Sequence, residues 1–402
     1  MKKLIQQLAS KHLPQPIRGR KGATDEGPRN LARDFQNPDM LVPPSTDAGT
    51  VQNLKFSFSD THMRLEDGGW SREVTVRELP VSKNIAAVNM RLKPGAVREL
   101  HWHKEAEWGY VINGGVRLTA VDQNGRNFID NVSEGDLWYF PSGIPHSIQG
   151  LEQGSEFLLV FDDGSFSENS TFSVTDWFAH TPRSVLEANF GVPGYELAYI
   201  HKKERYMFQL EPPPPIERAA VSSPEGPVLE PFSYKLSRQE PLVTSGGRVK
   251  IVDSKTFKVS KTIAAALVEV EPGGMRELHW HPNTDEWQYY LSGEAKMTVF
   301  AAEGRARTFN YQAGDVGYVP VAMGHYVQNT GDTVLRFLEI FKSDRFEDVS
   351  LNQWLALTPQ RFVEQTLNVS PAFARRLKKK NHRLSNGNTN SKGGKSRLFI
   401  IV

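Results

Sequence analysis

The chain has 402 residues, a length that corresponds to two or three domains at about 150 residues per domain. Its 48 Lys and Arg side chains nearly balance its 46 Asp and Glu side chains, which argues against a nucleic-acid-binding protein and against a disordered, highly charged one. The sequence has no cysteine, so disulfides, thiolate metal sites and cysteine nucleophiles are excluded, and any metal must be bound by nitrogen and oxygen ligands.

The first 50 residues are rich in Pro, Gly, Asn and Asp and show little periodicity, which indicates an extended arm. The N-terminus carries two lysines but no continuous apolar segment, so it does not have the pattern of a signal peptide. No window of the sequence approaches the about 18 apolar residues that a membrane span requires. We therefore expect a cytoplasmic protein without a membrane partner.

The chain contains one internal repeat. The hexapeptide RELHWH occurs at Arg98–His103 and again at Arg276–His281, an offset of 178 residues. At the same offset, SKNIAA at Ser82–Ala87 corresponds to SKTIAA at Ser260–Ala265. Further matches keep this register to within a few residues over each copy, so the sequence predicts two copies of one fold.

The signals inside each copy are those of β-strands. Short runs rich in β-branched and aromatic residues are separated by Gly, Pro, Asn and Asp, a pattern typical of a β-sandwich or of a barrel such as a jelly roll. Each copy then ends in one short helical segment, around Ser173–Ala188 and Ser350–Glu364. The predicted fold class is all-β with a few flanking helices. The predicted strands include 73–79, 87–92, 115–121, 157–161, 265–270, 296–301 and 334–341.

These patterns divide the chain into five parts. The copies of the repeat form two domains, and the segment between them contains PPPP at Pro212–Pro215, which predicts a stiff, extended linker. The C-terminal part contains RRLKKK and NGNTNSKGGKS, a composition typical of a disordered basic tail. The predicted parts are the arm 1–50, the first domain 51–192, the linker 193–231, the second domain 232–373 and the tail 374–402.

Both copies carry the same set of potential metal ligands. His101 and His103 are two residues apart on a predicted strand, so both side chains point to one face. Glu107 follows a short turn, and His146 comes from a later strand. Three imidazoles and one carboxylate leave two positions of an octahedral ion open, which suits Mn²⁺, Fe²⁺ or Ni²⁺ better than structural zinc, although ligand type does not select among these three ions. The second copy repeats the set with His279, His281, Glu286 and His325.

The glycines and prolines around these ligands resemble the two cupin motifs, the first from Gly95 to Gly114 and the second from Gly135 to His146. Segments such as QNPDMLVPP, RLKPGAVRELHWHKEAEW and GDLWYFPSG resemble more closely the bacterial oxalate decarboxylases, a family of bicupins. This resemblance implies a jelly-roll barrel per copy with one Mn²⁺ in each, hence two per chain, and a requirement for dioxygen. It further implies conversion of oxalate to formate and CO₂, and a hexamer of stacked trimers.

Two residues of the first copy are candidates for catalysis. Arg98 lies three residues before His101, so on a regular strand it would point away from the ligands, and a bend at Glu99-Leu100 would be needed. The resemblance implies that Arg98 binds the substrate, and a guanidinium group can bind a carboxylate through two hydrogen bonds. Glu168 lies in a Ser-rich loop that is three residues longer than its counterpart, which indicates a mobile lid, and the resemblance implies that it acts as base and then as acid.

The second copy offers another pair. Glu339 lies in an apolar strand, where a carboxylate is costly unless it is paired and where burial should raise its pKa. The resemblance places Glu339 near the second metal, so that Glu339 and Arg276 form a second catalytic pair. Phe346 stands where close relatives are expected to have tyrosine, which weakens this reading. The alternative is a second site that is mainly structural, and we favour the first site for catalysis.

Two other functions remain open. An oxalate oxidase, producing CO₂ and hydrogen peroxide, would result if no acid protonated the formate radical, and the presence of Glu168 in the loop favours the decarboxylase. A non-catalytic metal-binding bicupin, similar to seed storage proteins, is the third reading, and the two complete ligand sets argue against it. Glu168 has to cycle a proton, and the ordinary pKa of a glutamate is about 4.3, so we expect activity to peak in mildly acidic solution.

Overall fold

Antiparallel strands dominate both halves of the protein in the computed structural model, which describes residues 30–386. The all-β prediction is confirmed. The first half contains β1 (Lys55–Ser57), β2 (Arg64–Glu66), β3 (Gly69–Val74), β4 (Ala86–Leu92), β5 (Val97–Trp102), β6 (Glu107–Val121), β7 (Asn127–Ser133), β8 (Leu137–Phe140), β9 (His146–Phe161), β10 (Phe172–Ser173) and β11 (Met207–Phe208).

The second half repeats this succession of strands with the same antiparallel pairing. Its strands are β12 (Ser233–Tyr234), β13 (Leu242–Thr244), β14 (Gly247–Val252), β15 (Ala264–Val270), β16 (Gly274–Trp280), β17 (Glu286–Ser292), β18 (Glu294–Phe300), β19 (Ala306–Gln312), β20 (Asp315–Val319), β21 (Gly324–Asn329), β22 (Leu335–Phe341), β23 (Val349–Ser350) and β24 (Leu384–Asn386). Those other than β12 form, together with β1 of the first half, two sheets of seven and six strands, whereas β2–β11 are joined with β12 into one sheet of eleven.

The two barrels exchange one strand each. Strand β1 pairs with β20 of the second barrel, where Phe56 lies opposite Val316. Strand β12 pairs with β8 of the first barrel, where Ser233 lies opposite Trp138. The predicted boundaries at residues 51 and 232 therefore assigned β1 and β12 to the wrong barrels. Alternation along a strand shows which face is buried, but it does not show which sheet the strand joins.

Alternating side chains build three apolar clusters, one inside each barrel and one between the barrels. Strand β6 illustrates the rule, because Val111 points into the first barrel while Trp108 and Tyr110 point towards the second. Trp287 and Tyr289 of β17 pack into the same cluster between the barrels from the other side. Both faces of these strands are buried, so the barrels present their metal-ligand strands from a rigid, apolar support.

The helical segment predicted at the end of each copy consists of two helices. Pro182 and Pro359 occupy the N-caps of the second helix of each pair, because a proline cannot donate the backbone hydrogen bond that would continue the first. In the described part of the chain, no helix is long and apolar enough to cross a membrane. The α-helices are Leu31–Gln36, Pro38–Leu41, Val174–Ala179, Arg183–Phe190, Ile216–Ala219, Leu351–Leu357, Gln360–Leu367 and Pro371–Arg376, and the 3₁₀ helices are Phe58–Asp60, Glu168–Ser170 and Leu236–Arg238.

Two predictions about the termini and one about a strand need correction. The arm is partly helical after residue 30, and Asp39 exchanges hydrogen bonds with Asn310 of the second barrel. Residues 1–29 lie outside the described residues. The predicted strand 73–79 ends at Val74, because the Thr75 amide and hydroxyl both donate to the Glu78 carboxylate and close a turn.

The segment from residue 374 to residue 386, predicted as part of a disordered tail, belongs to the second barrel. Strand β24 pairs with β16, where Leu384 lies opposite Arg276. Leu384 is 1% exposed and packs in the apolar cluster of the second barrel. One apolar residue anchors a segment whose basic composition is otherwise typical of a solvated tail. The rest of the predicted tail, 387–402, lies outside the described residues.

Replacing Leu384 by alanine should lower the free energy of unfolding by about 2–5 kcal/mol, because the change removes buried methyl groups and leaves a cavity. The change is measured by thermal and denaturant unfolding of the purified protein. Leu229→Ala is the matched control, since Leu229 is 77% exposed and its truncation should change stability by less than about 0.5 kcal/mol. Equal effects of both substitutions would show that β24 is not anchored by Leu384.

Candidate metal centres and their acid–base residues

The four predicted ligands of the first barrel converge. His101 lies on β5 directly opposite His146 on β9, His103 follows the end of β5, and Glu107 begins β6. One ligand atom from each of the four residues lies within 4.8 Å of the corresponding atoms of the others, and all four residues are buried. Nitrogen and carboxylate oxygen atoms at these mutual distances can surround one divalent cation.

The second barrel repeats this arrangement with its own four ligands. His279 on β16 lies opposite His325 on β21, and Glu286 begins β17. Together with His281, their ligand atoms again lie within 4.8 Å of one another and are buried. The sequence prediction therefore named two ligand sets that the fold does bring together.

Hydrogen bonds fix the orientation of all six imidazoles. Each Nδ1 donates to a backbone carbonyl oxygen, at 2.5 Å for His101 and 3.0 Å for His325, so that each Nε2 is left as an acceptor facing the centre. Within residues 30–386, four of these Nε2 atoms have no hydrogen-bond partner although they are buried. Buried acceptors without donors are costly unless a cation binds them, so the residues present fit a bound metal. The carbonyl partners belong to Glu99, Glu105, Ile144, Glu277, Glu347 and Met323.

The electrostatic environment keeps His101 and Glu107 in the protonation states that a metal requires. Burial, followed by the nearby Arg98 guanidinium, holds the pKa of His101 well below its ordinary value, so this imidazole is neutral. Burial alone would raise the pKa of Glu107, but His146 and His103 beside it hold that pKa below its ordinary value, so the carboxylate is ionised. Neutral imidazole and ionised carboxylate are the forms that coordinate a cation.

Each glutamate ligand is supported by a different donor in the two barrels. In the first, Trp138 of β8 donates its indole N–H to Glu107 at 2.8 Å, and its ring fills the space above Gly109, where a Cβ would collide with it. In the second, Gln288 donates its amide N–H to Glu286 at 2.8 Å. Gly317, opposite Gln288, provides the space for it. In the first barrel the donor Trp138 lies on β8 and the glycine on β6, whereas in the second barrel the donor Gln288 lies on β17 with the ligand and the glycine lies on the neighbouring β20. The hydrogen bond to the glutamate ligand is the same in both.

Replacing Trp138 by phenylalanine should weaken metal binding at the first site by about 10- to 100-fold, because Glu107 loses the donor that orients it. Competition with a chelator, followed by metal analysis, measures the change. Trp108→Phe is the matched control: Trp108 is equally buried, and its indole N–H has no partner among the residues of the described range. Equal metal loss in the two variants would contradict a specific role for Trp138.

A β-bulge brings Arg98 to the same side as the ligands. Arg98 lies opposite Ile148 and His101 opposite His146, so three steps along β5 match two steps along β9. The extra residue reverses the alternation, and Leu100 is turned outwards with 56% exposure. This is the bend that the sequence required but could not demonstrate. The same bulge occurs between Arg276 and His279 in the second barrel.

Arg98 and Glu168 form a buried ion pair beside the first ligand set. The Nη2 of Arg98 donates to the Glu168 carboxylate at 3.0 Å, and the two side chains are 2% and 9% exposed. Glu168 begins a 3₁₀ helix whose N-cap, Ser167, accepts from the amide of Asn169. The predicted lid residue is therefore folded against the site, with its carboxylate turned inwards.

Tyr206 is a site residue that the sequence did not reveal, because it lies in the segment read as a linker. Its ring centroid is 4.2 Å from the Arg98 guanidinium carbon, and its hydroxyl is 2.7 Å from that of Ser71. Burial, and then the adjacent Glu168 carboxylate, raise the pKa of Tyr206 well above its ordinary value. The phenol is therefore neutral and packs against Arg98 as a wall of the site.

The second site has a different arrangement around its arginine. Arg276 donates from Nε to Glu339 at 3.0 Å and from Nη2 to Asp348 at 2.9 Å. Burial, only partly opposed by Arg276, raises the pKa of Glu339, as its apolar strand predicts. Phe346 is 8% exposed and packs edge-on against His281, where a tyrosine hydroxyl was expected. Asp348 was not singled out in the sequence.

Two barrels that each hold three histidines and one glutamate define a bicupin metalloprotein. A family model described as cupin matches residues 58–197 and 234–375. Over 370 residues the chain is 67% identical to oxalate decarboxylase OxdC of Bacillus subtilis, a match that covers 92% of this chain and 96% of the relative. The chain belongs to the oxalate decarboxylase family of bicupins.

Other relatives agree with this assignment. A probable oxalate decarboxylase of Arthroderma benhamiae is 43% identical over 373 residues, covering 91% of each chain. Among solved structures, the Bacillus subtilis oxalate decarboxylase in which the Mn(II) centres were characterised superimposes with a TM-score of 0.91 at 66% identity. That match covers 93% of this chain and 99% of the other. The prediction of the family from the sequence motifs is confirmed.

Proposed function

We propose that the protein decarboxylates oxalate to formate and CO₂ at the first metal site, with manganese in both barrels and dioxygen as a co-catalyst. The observation that carries this proposal is the buried Arg98–Glu168 pair beside the first ligand set. A bound Mn²⁺ would supply a positive charge for the oxalate oxygens and a reversible one-electron couple. The residues of the chain bind the substrate, exclude water and move its proton.

Arg98 is the residue we assign to substrate binding. Its Nη2 is used by Glu168, while its Nη1 is buried and has no partner in the described part of the protein. A buried guanidinium donor without an acceptor is costly, and one oxygen of a substrate carboxylate would satisfy it. The metal and Arg98 contribute positive charge, and Glu107 and Glu168 contribute negative charge, so the cavity keeps a net positive charge that attracts a small dicarboxylate.

Glu168 is the residue we assign to proton transfer. Its carboxylate accepts the proton of monoprotonated oxalate, the C–C bond breaks with loss of CO₂, and Glu168 returns that proton to the remaining carbon, which becomes formate. The two carbons and the single proton of the substrate are thus all accounted for, and there is no net oxidation. Glu168 lies on a short loop segment that closes over the site. This position supports the role, since the same loop can open to admit the substrate.

The expected pH profile follows from this scheme. Activity should be highest in mildly acidic solution and should fall as pH rises, because the monoprotonated form of oxalate disappears. It should also fall in strongly acidic solution, because the first step requires a carboxylate that can accept a proton. Formate production measured from acidic to alkaline pH tests the profile, and a rate that rises steadily into alkaline solution would contradict it.

We assign catalysis to the first site and a mainly structural role to the second. All three guanidinium nitrogens of Arg276 are used, by Glu339, by Asp348 and by the carbonyl oxygen of Arg383. Arg276 is fully buried and each of its three nitrogens already has an acceptor within the protein, so none of these nitrogens is wholly free for a substrate. The assignment of Glu339 and Arg276 as a second catalytic pair remains a prediction.

The deciding experiment incubates the manganese-loaded protein with oxalate in air and without air, and measures formate and peroxide. Formate in air with little peroxide is the expected result. Peroxide in place of formate would establish the oxidase, which Glu168 disfavours because it supplies the acid. A native protein that contains neither manganese nor another metal would favour the non-catalytic bicupin.

We further propose a cytoplasmic hexamer of stacked trimers, in line with the family resemblance. Large apolar side chains on the helices that flank both barrels support an assembly, since Trp177 is 61% and Phe362 64% exposed. Light scattering of the purified protein measures the number of subunits. A monomer at micromolar concentration would contradict the hexamer.

A further inference from the structure

Each barrel is completed by a later segment of the chain that crosses its metal-ligand strand, and the two segments are structurally equivalent. Met207 lies opposite Arg98 in the first barrel, and Leu384 lies opposite Arg276 in the second. The residues just before them, Tyr206 and Arg383, both have positive φ, at 52° and 56°. Each also accepts, at its carbonyl oxygen, the backbone N–H of the residue after the arginine. The chain thus places a phenol at the first site and a guanidinium at the second.

A second pair of equivalent residues differs in charge. Ser173 lies opposite His101, and Ser350 lies opposite His279. Two residues before these serines stand Thr171 in the first barrel and Asp348 in the second. The Asp348 carboxylate binds Nη2 of Arg276 at 2.9 Å, whereas the Thr171 hydroxyl is buried without a partner in the described range.

Arg383 and its neighbour hold this carboxylate in place. The other oxygen of Asp348 accepts from the Asn381 amide at 3.1 Å and from the Arg383 guanidinium at 3.3 Å. The guanidinium also lies 5.6 Å from the ring centroid of Phe346, the residue without the hydroxyl expected there. Burial alone would raise the pKa of Asp348, but Arg276 and Arg383 hold it below its ordinary value, so the carboxylate is ionised.

The comparison of the two arginines shows what this carboxylate does. Arg98 binds one protein carboxylate and keeps a buried N–H group without a partner, again counting only residues 30–386. Arg276 binds two protein carboxylates. The second of these, Asp348, lies two residues before Ser350, the residue that pairs with the ligand His279, and it occupies the Nη2 of Arg276 to which a small carboxylate would bind.

We propose that Asp348, clamped by Arg383, is an internal substitute for a substrate carboxylate on Arg276, and that it closes a latent dicarboxylate-binding site at the second metal. This inference rests on the proposed function in one respect, that the dicarboxylate is oxalate. The two sites then differ in substrate access because of two residue differences. Thr171 and Tyr206 of the first site correspond to Asp348 and Arg383 of the second. Their metal-ligand sets are the same.

Calorimetric titration of the manganese-loaded protein with oxalate in the absence of air tests the proposal, because binding is measured without turnover. The unmodified protein should bind about one oxalate per chain. The double variant D348T/R383Y, which gives the second site the residues of the first, should bind about two. Two bound oxalates in the unmodified protein would overturn the proposal. The proposal would also be overturned if the double variant kept both metal ions and its melting temperature but still bound only one oxalate per chain.

Two single variants complete the test. D348N keeps the shape of the side chain and removes its charge, so it covers the case in which the double variant does not fold, and it should reveal a second, weaker binding event. T171D places a carboxylate at the equivalent position of the first site and should raise the KM for oxalate by at least about tenfold. Unchanged binding in either variant would contradict the proposal. Failure of the proposed function would appear separately, as oxalate binding without formate production by the unmodified protein.

Discussion

Replacing Glu168 by glutamine should lower the rate of formate production by about 10²- to 10⁴-fold, the range expected when a positioned acid–base group is lost. The amide retains the shape of the side chain and its hydrogen bond from Arg98, so the loop should close as before. Oxalate binding and manganese content should therefore stay near those of the unmodified protein. Formate formation, calorimetric oxalate binding and metal analysis on one preparation measure the three quantities.

Two controls separate proton transfer from loop folding. Asn169→Ala changes the exposed neighbour of Glu168 in the same 3₁₀ helix and should retain most of the activity. Glu339→Gln makes the same chemical change at the second site. Its rate of formate production should stay within about tenfold of that of the unmodified protein. Glu168 would lose its assigned role if its glutamine variant kept full activity, or if Glu339→Gln removed activity with both metals still bound.

Replacing His101 by alanine should reduce the manganese content from about two ions to about one per chain, and formate production should fall to background. The substitution removes one of four protein ligands from a buried site, and Mn²⁺ is the most weakly bound ion of the divalent series, so the site should lose its ion. Metal analysis after gel filtration and electron paramagnetic resonance of the bound Mn²⁺ measure the loss.

His279→Ala is the matched control for this prediction, since it removes the equivalent ligand of the second site. It should also leave about one manganese ion per chain, and formate production should remain in the fraction that stays folded. A His101→Ala protein that retained activity with one ion would move the chemistry to the second site. Loss of activity in both variants, with intact fold and one ion each, would show that both sites take part.

The amino-acid sequence by itself determined the parts of this protein that depend on local spacing. The two-residue period of a strand brings His101 and His103 to one face, and the repeat at an offset of 178 shows that the arrangement occurs twice. The all-β class follows from the strand patterns, and Glu107 was placed by the short turn that follows His103. The unequal loop lengths indicated a lid, and the family resemblance singled out Glu168 within it.

Only the tertiary structure decided the contacts that join distant segments. Arg98 enters the site through a bulge whose presence depends on the pairing of β5 with β9. Tyr206 and Arg383 come from segments whose composition resembles a linker and a tail, and each is located by its pairing with a metal-ligand strand. Strand periodicity carries no information about the partner strand, because the partner is selected by packing across the whole barrel. For that reason the metal ligands could be read from the sequence, whereas the difference between the two arginines required the fold.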